Sequence, residues 1–385
     1  MIPLAEPVLG ELEARYLTEC VDSGYVSSVG PFVDRFEQEF ATAVGAAFAV
    51  ACASGTAALH VALRLAGAGP GGLVAVSDFT FIASANAAAY TGADILLVDS
   101  EPDTWCMNTE LLHDEVVRRA NVGERLPDVV EVVHVLGHPA AIEPLLELRR
   151  RFGVRIVEDA AEALGASWRT GRVFSRQVGT VGDLGCYSFN GNKIITTGGG
   201  GMIVTDDARL AAAARHLTTQ AKVTGEHYVH DTVGYNYRLT NLAAAVGLAQ
   251  LERLPELLRA KRAIADRYRA GLGGLPMSPP PAAAWAAPSF WLSSVLLEAS
   301  GQDPGAVVAA LADDGVGARR LWPPLHRQRP YRSAERLGGA VADGLFRRGL
   351  SLPSSAGLTL ADQQRVVAAL ASLLGAVPAE RGTAP

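Results

Sequence analysis

Lysine is nearly missing from this chain. Of 34 basic residues, only Lys193, Lys222 and Lys261 are lysine, and the rest are arginine. Arginine serves equally well wherever only charge is needed, so the bias has the look of a GC-rich coding sequence. A surviving lysine then draws attention, because only its amine can lose a proton and act as a nucleophile. Basic charge is scarce overall: 40 acidic residues give a formal charge of −6, with no basic stretch. That excludes an ordinary nucleic-acid binder. No run of about eighteen apolar residues lacks a charge or a turn signal, so no membrane span is predicted. The start, MIPLAEPVLGELEARY, has no basic n-region and no apolar core. No signal peptide is predicted, and a cytoplasmic location is expected. Cys20, Cys52, Cys106 and Cys186 lie far apart with no CxxC pair. They read as free buried thiols in a reducing compartment. His134 and His138 have an HxxxH spacing, but an apolar strand runs into Gly137 and Pro139 there. That spacing aligns two ligands only on a helix, so no metal site is expected.

What is present is alternation. The length of 385 residues allows one large or two mid-sized domains. Apolar strands are predicted at 73–76, 95–99, 129–136, 154–159, 185–188 and 202–205, and helices at 57–65, 82–90, 142–152 and 242–251. Several strands are near-continuous Val, Ile and Leu, as strands covered on both faces must be. The pattern predicts an α/β fold with a mostly parallel sheet between helices. The texture changes after residue 254. An Arg-rich helix to about residue 268, a Pro-rich segment, a strand at 290–297 and a helix at 304–314 follow. The expected division is 1–254 for a large domain with an N-terminal arm, and 255–375 for a smaller α+β domain. Residues 376–385 read as a disordered tail. Lys261, beside Arg262, reads as a helix surface residue.

Three stretches carry chemistry. In SFNGNKIITTGGGG, Lys193 follows a strand and a small polar turn, and four glycines follow it. Consecutive glycines are costly in backbone entropy, so something must lie close to the backbone there. A dinucleotide loop is excluded, because that pattern belongs at a first strand–helix turn and this one leads into a strand. In ASGTAALHVAL, a Ser-Gly-Thr turn opens a helix. Its amides and hydroxyls suit an anion, although an ordinary Ser/Thr N-cap reads the same way. In IVEDAAEALGA, an apolar strand ends on acids. A carboxylate at a strand's carboxyl end suits a ligand cation, although a capping Asp gives the same pattern. An amine, a phosphate cradle and a carboxylate together are what pyridoxal phosphate (PLP) requires.

These stretches, together with DFTFIASANA and VGYNYRLTNLAAAVGLAQLE, resemble the DegT/DnrJ/StrS family of PLP-dependent sugar aminotransferases. The resemblance runs from Ile2 to about Leu373. SFNGNKIITTGGGGM and GYVSSVGPFVDRFE are most similar to the subgroup making 4-amino-4,6-dideoxy sugars, of the bacillosamine and legionaminic acid type. The resemblance implies the fold-type I, aspartate aminotransferase-like architecture. It implies that Lys193 is the Schiff-base lysine and proton shuttle, and that Asp159 pairs with the pyridinium. Gly55, Thr56 and Ser188 would hold the phosphate. Phe81 would stack on one ring face and Ala161 would pack on the other. Asn236 would reach the cofactor of a second subunit, making a homodimer obligatory. Glu162 would lie beside the cofactor's phenolic oxygen. Two negative groups in contact are unfavourable, so Glu162 would be protonated or turned toward the substrate. Arg320, His326 and Lys222 are candidates for the substrate.

The implied reaction moves an amino group from L-glutamate to C4 of a nucleotide-linked 4-keto-6-deoxy sugar, dTDP- or UDP-linked. A C3 aminotransferase acting on a 3-keto sugar would share every cofactor residue. Family members that dehydrate carry His in place of the lysine, and Lys193 excludes them. A PLP-dependent regulator would need a DNA-binding segment that this acidic chain does not display. A non-catalytic nucleotide-sugar binding module is a further alternative, which absorbance at about 420 nm that vanishes in Lys193→Ala would argue against.

Overall fold

The computed structural model describes residues 1–223, 225, 227–298 and 302–375. The predicted tail, 376–385, lies outside the described residues.

The six strands predicted before residue 254 gather into one sheet of eight, completed at its two edges by Phe48–Cys52 and Glu335–Leu337, which the sequence pattern did not show. From one edge to the other the order is Phe48–Cys52, Gly201–Thr205, Leu184–Ser188, Arg155–Asp159, Val129–Val133, Leu73–Ser77, Asp94–Val98 and Glu335–Leu337. Every pair from Leu184–Ser188 to Glu335–Leu337 is parallel. Gly201–Thr205 runs antiparallel to both its neighbours. Strands such as VVEVV and LVAVS are buried along their whole length, as the continuous apolar runs require. One face packs on the helices Glu11–Ser23, Pro31–Val44 and Asn241–Glu252, through Phe36, Phe40, Tyr187 and Phe189. The other packs on Gly55–Leu65 and Ala83–Tyr90, through Leu59, Leu63, Val74 and Leu97.

Helix starts follow local chemistry. Ser54, Asn108, Asp207, Thr240 and Asp303 each accept a hydrogen bond from a first-turn amide. The apolar run at 129–136 stops as a strand at Val133. There His134 donates its amide to the Asp159 carbonyl, and a short 3-10 turn, Val135–Gly137, follows.

The C-terminal part builds a second, antiparallel sheet of Arg319–Arg320, Gly349–Leu352, Ser293–Leu297 and Met277–Ser278. The helices Leu254–Gly271, Pro304–Asp313 and Leu360–Leu374 cover it. Two short stretches cross position 254. Ile2 pairs with Val316 inside the C-terminal core, and Glu335–Leu337 extends the large sheet. All four cysteines are free and buried. Among the described residues, no helix is long and apolar enough to cross a membrane.

Lys261 corrects the sequence reading. It is buried, not on the surface of its helix. Its Nζ donates to the carbonyls of Trp291 and Ser354, and burial lowers its pKa to about 7. A lysine beside an arginine reads as surface charge, but this helix packs through Leu254 and Leu257 on the large core and through Ile264 and Tyr268 on the C-terminal one.

Candidate functional site

The carboxyl ends of three strands, and the start of the antiparallel one, meet at a single rim of the large sheet. Cys52 leads to Ser54, Asp159 and Ser188 end their strands, and Gly201 opens the fourth. One cleft at this rim is lined by Ser54, Gly55, Thr56, Asp159, Ser188 and Lys193. The glycines explain how these turns come so close. A Cβ on Gly201 would lie 2.5 Å from the Ser54 carbonyl oxygen, and one on Gly55 would lie 2.7 Å from the Ser188 Cβ. Part of the glycine run therefore welds the lysine loop to the helix start. The close object is the chain itself.

Ser54 caps the helix Gly55–Leu65 by accepting from the Ala57 amide. The amides of Gly55 and Thr56 have no intrahelical acceptor, since they belong to the first turn. Both residues line the cleft together with Ser188, and first-turn amides with a hydroxyl are the donor set that a phosphate requires.

Asp159 is buried. Its Oδ1 accepts from the Ala161 amide at 3.0 Å and its Oδ2 from the Ser84 hydroxyl at 2.8 Å. Burial pushes its carboxyl up, opposed by those two donors, Lys193 and His134. A carboxylate in this state gains from a cation placed against it. Its neighbour Glu158 faces the other way. It accepts from the amides of Gly179, Val181 and Gly182 and from His134 Nε2 at 3.0 Å. Of the two adjacent acids, one anchors the strand end and the other faces the cleft. The imidazoles of the HxxxH pair are engaged within the protein. His134 Nδ1 accepts from the Ala140 amide, and His138 Nε2 from the Ala283 amide.

Lys193 Nζ sits 3.6 Å from Glu162 Oε1 and 3.9 Å from the centroid of the Trp291 ring. Glu162 lies in a turn, buried, and not on a solvated helix. Its Oε2 accepts from the Leu136 amide at 2.8 Å, and Leu136 itself holds a left-handed φ of 54°. Burial raises the Glu162 carboxyl; Lys193 and the Leu136 amide pull it back. Phe81, half exposed, and Ala161 also line the cleft. The residues present fit pyridoxal phosphate: an amine, a buried carboxylate short of a cation, and a helix start with free amides share one cavity.

The remaining candidates divide. Arg320 lines the cleft, but its guanidinium lies over the Phe346 ring at 4.5 Å and 3.5 Å from Asp303. His326 is outside the cleft. Its amide and Nδ1 both bond Asp78, at 2.9 and 2.6 Å, and its Nε2 lies 3.3 Å from Asp343. Lys222 is exposed, with its Nζ 4.2 Å from the centroid of the Tyr228 ring. Asn236 is exposed and away from its own chain's cleft. Sequence reasoning missed Ser84, Leu136, Trp291, Trp322 and Arg319. Ser84 stood in the quoted DFTFIASANA stretch and was within reach. A left-handed leucine or a tryptophan arriving from another lobe leaves no local signal.

A family model for the DegT/DnrJ/EryC1/StrS aminotransferase family matches residues 7–371. The chain is 39% identical to the GDP-perosamine synthase of Caulobacter vibrioides, over 97% of this chain and 98% of that one. Its structure is similar to that of the aminotransferase TlmJ from Streptoalloteichus hindustanus. The TM-score is 0.87 and the identity 31%, over 97% and 100% of the two chains. S. venezuelae DesV, solved with a ketimine intermediate, matches with a TM-score of 0.84 and 31% identity over 94% of each chain. The chain belongs to the DegT/DnrJ/EryC1/StrS aminotransferase family and is a PLP-dependent sugar aminotransferase of fold type I.

Proposed function

We propose that this enzyme moves an amino group from L-glutamate to C4 of a nucleotide-linked 4-keto-6-deoxy sugar. The observation that carries the reading is the Lys193 amine, held in one cleft with Asp159 and the open start of the helix Gly55–Leu65. When bound, pyridoxal phosphate supplies a ring that accepts the electron pair left behind as a proton leaves carbon. The chain's residues do the rest. The Gly55 and Thr56 amides and the Ser188 hydroxyl hold the phosphate. The Asp159 carboxylate keeps a proton on the pyridine nitrogen. Phe81 and Ala161, which line the same cleft, would hold the ring. Lys193 Nζ takes the proton from the donor's α-carbon and returns it. Glu162, a neutral acid or one turned to Lys193, avoids setting two negative charges together. Asn236 acts from a second copy of the chain, so the working unit is a homodimer. Arg320, His326 and Lys222 would meet the nucleotide-linked sugar. For His326, contact with the sugar would require release from Asp78.

The C4 position is supported by the likeness of Ser188–Met202 and Gly24–Glu37 to the 4-amino-4,6-dideoxy-sugar subgroup. The relative named for a GDP-linked sugar adds GDP to the dTDP and UDP carriers considered. The test offers dTDP-4-keto-6-deoxyglucose, its UDP-N-acetyl and GDP counterparts and a 3-keto isomer, with L-glutamate as donor. An amine at C4 in one nucleotide series is expected. An amine formed only at C3 overturns the positional reading.

A further inference from the structure

We propose that Trp291 is a positioning residue for Lys193: its indole face is the perch that holds the lysine amine in the cleft whenever that amine is not bonded to the cofactor. The proposal rests on reading Lys193 as the reacting amine. That role makes two demands. The amine must leave the cofactor when a substrate amine takes its place, and it must stay close enough to move a proton. A lysine on a four-carbon stem samples many rotamers, and free rotation would take Nζ out of reach. Here Nζ lies between two partners, the Trp291 ring at 3.9 Å from its centroid and Glu162 Oε1 at 3.6 Å. A π face attracts the ammonium without competing for the proton that must be exchanged. Glu162, whose other oxygen accepts from the Leu136 amide, is the second partner.

The ring is built to stay where it is. Trp291 is 4% exposed. Its Nε1 donates to the carbonyl of Asn192 at 2.6 Å, so the perch is tied to the residue that precedes the lysine. Its own carbonyl accepts from Lys261 Nζ at 3.0 Å. Phe290, just before it, holds a left-handed φ of 53°. Trp322 lies nearly parallel behind it, with ring planes 17° apart. The indole N–H is thus bonded to the residue just before the lysine, and the backbone of Trp291 is held in turn by Lys261.

The near-absence of lysine gives a direct readout. Cofactor-free protein is reductively methylated, and Lys193 is followed by peptide mass spectrometry against exposed Lys222 as the internal reference. Trp291→Leu removes the face and keeps an apolar side chain; Trp291→Phe keeps a face and loses the N–H. Lys193 is expected to label about tenfold faster in the Leu variant, with most of its protection restored by Phe. In the holoenzyme the Leu variant is expected to lose about tenfold in kcat with KM little changed, and Phe to recover most of the loss. Unchanged labelling in the Leu variant overturns the proposal. Equal labelling in Leu and Phe also overturns it, since the N–H tie and not the face would then be responsible. If the Leu variant does not fold, Trp291→Met takes its place and the same comparison decides. Wild-type enzyme without transamination would instead refute the role of Lys193, and the labelling comparison would stand apart from that failure.

Discussion

Asp159 and Ser84 show how much of this site is set by single hydrogen bonds. Asp159 has lost its water, and the Ser84 hydroxyl is one of two donors that hold its charge. Removing that donor leaves the burial unchanged and pushes the carboxyl further up. Ser84→Ala should lower kcat/KM several-fold, the effect of about 1 kcal/mol for one such bond. The acid-side fall in activity should begin at a higher pH, because Asp159 would take up its proton sooner. A pH–rate profile of wild type and variant checks this, and superimposable acid limbs would contradict it. Scarcity alone could not separate Lys193 from Lys222 and Lys261; the glycine run beside it did, and Asp159 stood as one of two acids at the end of an apolar run. Ser84 was less legible because serine is common and its partner is 75 positions away.

Among the elements, the strands of the parallel core were readable because burial on both faces leaves unbroken Val, Ile and Leu. The edge strand Glu335–Leu337 was not, because ERL is short and polar and pairs only through its neighbour Asp94–Val98. The helix Leu254–Gly271 was readable as a helix but not in its facing. Its Lys261 supports the carbonyls of Trp291 and Ser354 from inside. The amine has a folded pKa of about 7 against an ordinary 10.5. Between those values the unfolded chain binds more protons, so stability contributed at Lys261 rises with pH across that window. Lys261→Met removes the dependence. Measured across that window, the melting temperature of wild type should gain on the variant as pH rises. Loss of the two hydrogen bonds shifts the difference by a constant and does not alter its slope. A flat difference would mean that the amine stays protonated in the fold.

For the whole molecule, the place where Asn236 works decides whether one chain or two build each site. It is exposed, and its stretch carries exposed Tyr228, Val229 and Val233. Exposed Tyr25, Val26 and Val29 lie in the GYVSSVG stretch near the other end of the chain. The two stretches are joined locally, since Asn241 bonds the Phe32 amide and the Tyr25 carbonyl. Apolar side chains concentrated in two joined loops suit a surface that a second copy covers. If Asn236 reaches the neighbouring cleft, each site takes its lysine from one chain and its asparagine from the other. Mixed dimers of Lys193→Ala and Asn236→Ala then separate the cases. Asn236→Ala alone should weaken phosphate binding by roughly tenfold or more at limiting cofactor, as a hydrogen bond to a charged group does. In the mixed dimer, one cleft would hold neither residue and the other would hold both. Activity at limiting cofactor should therefore return to about half that of wild type. If Asn236 serves its own chain, the only cleft with Lys193 still lacks it, and the mixed dimer stays at about half the Asn236→Ala level. Two affinity tags isolate the mixed species, and one rate measurement decides between the two arrangements.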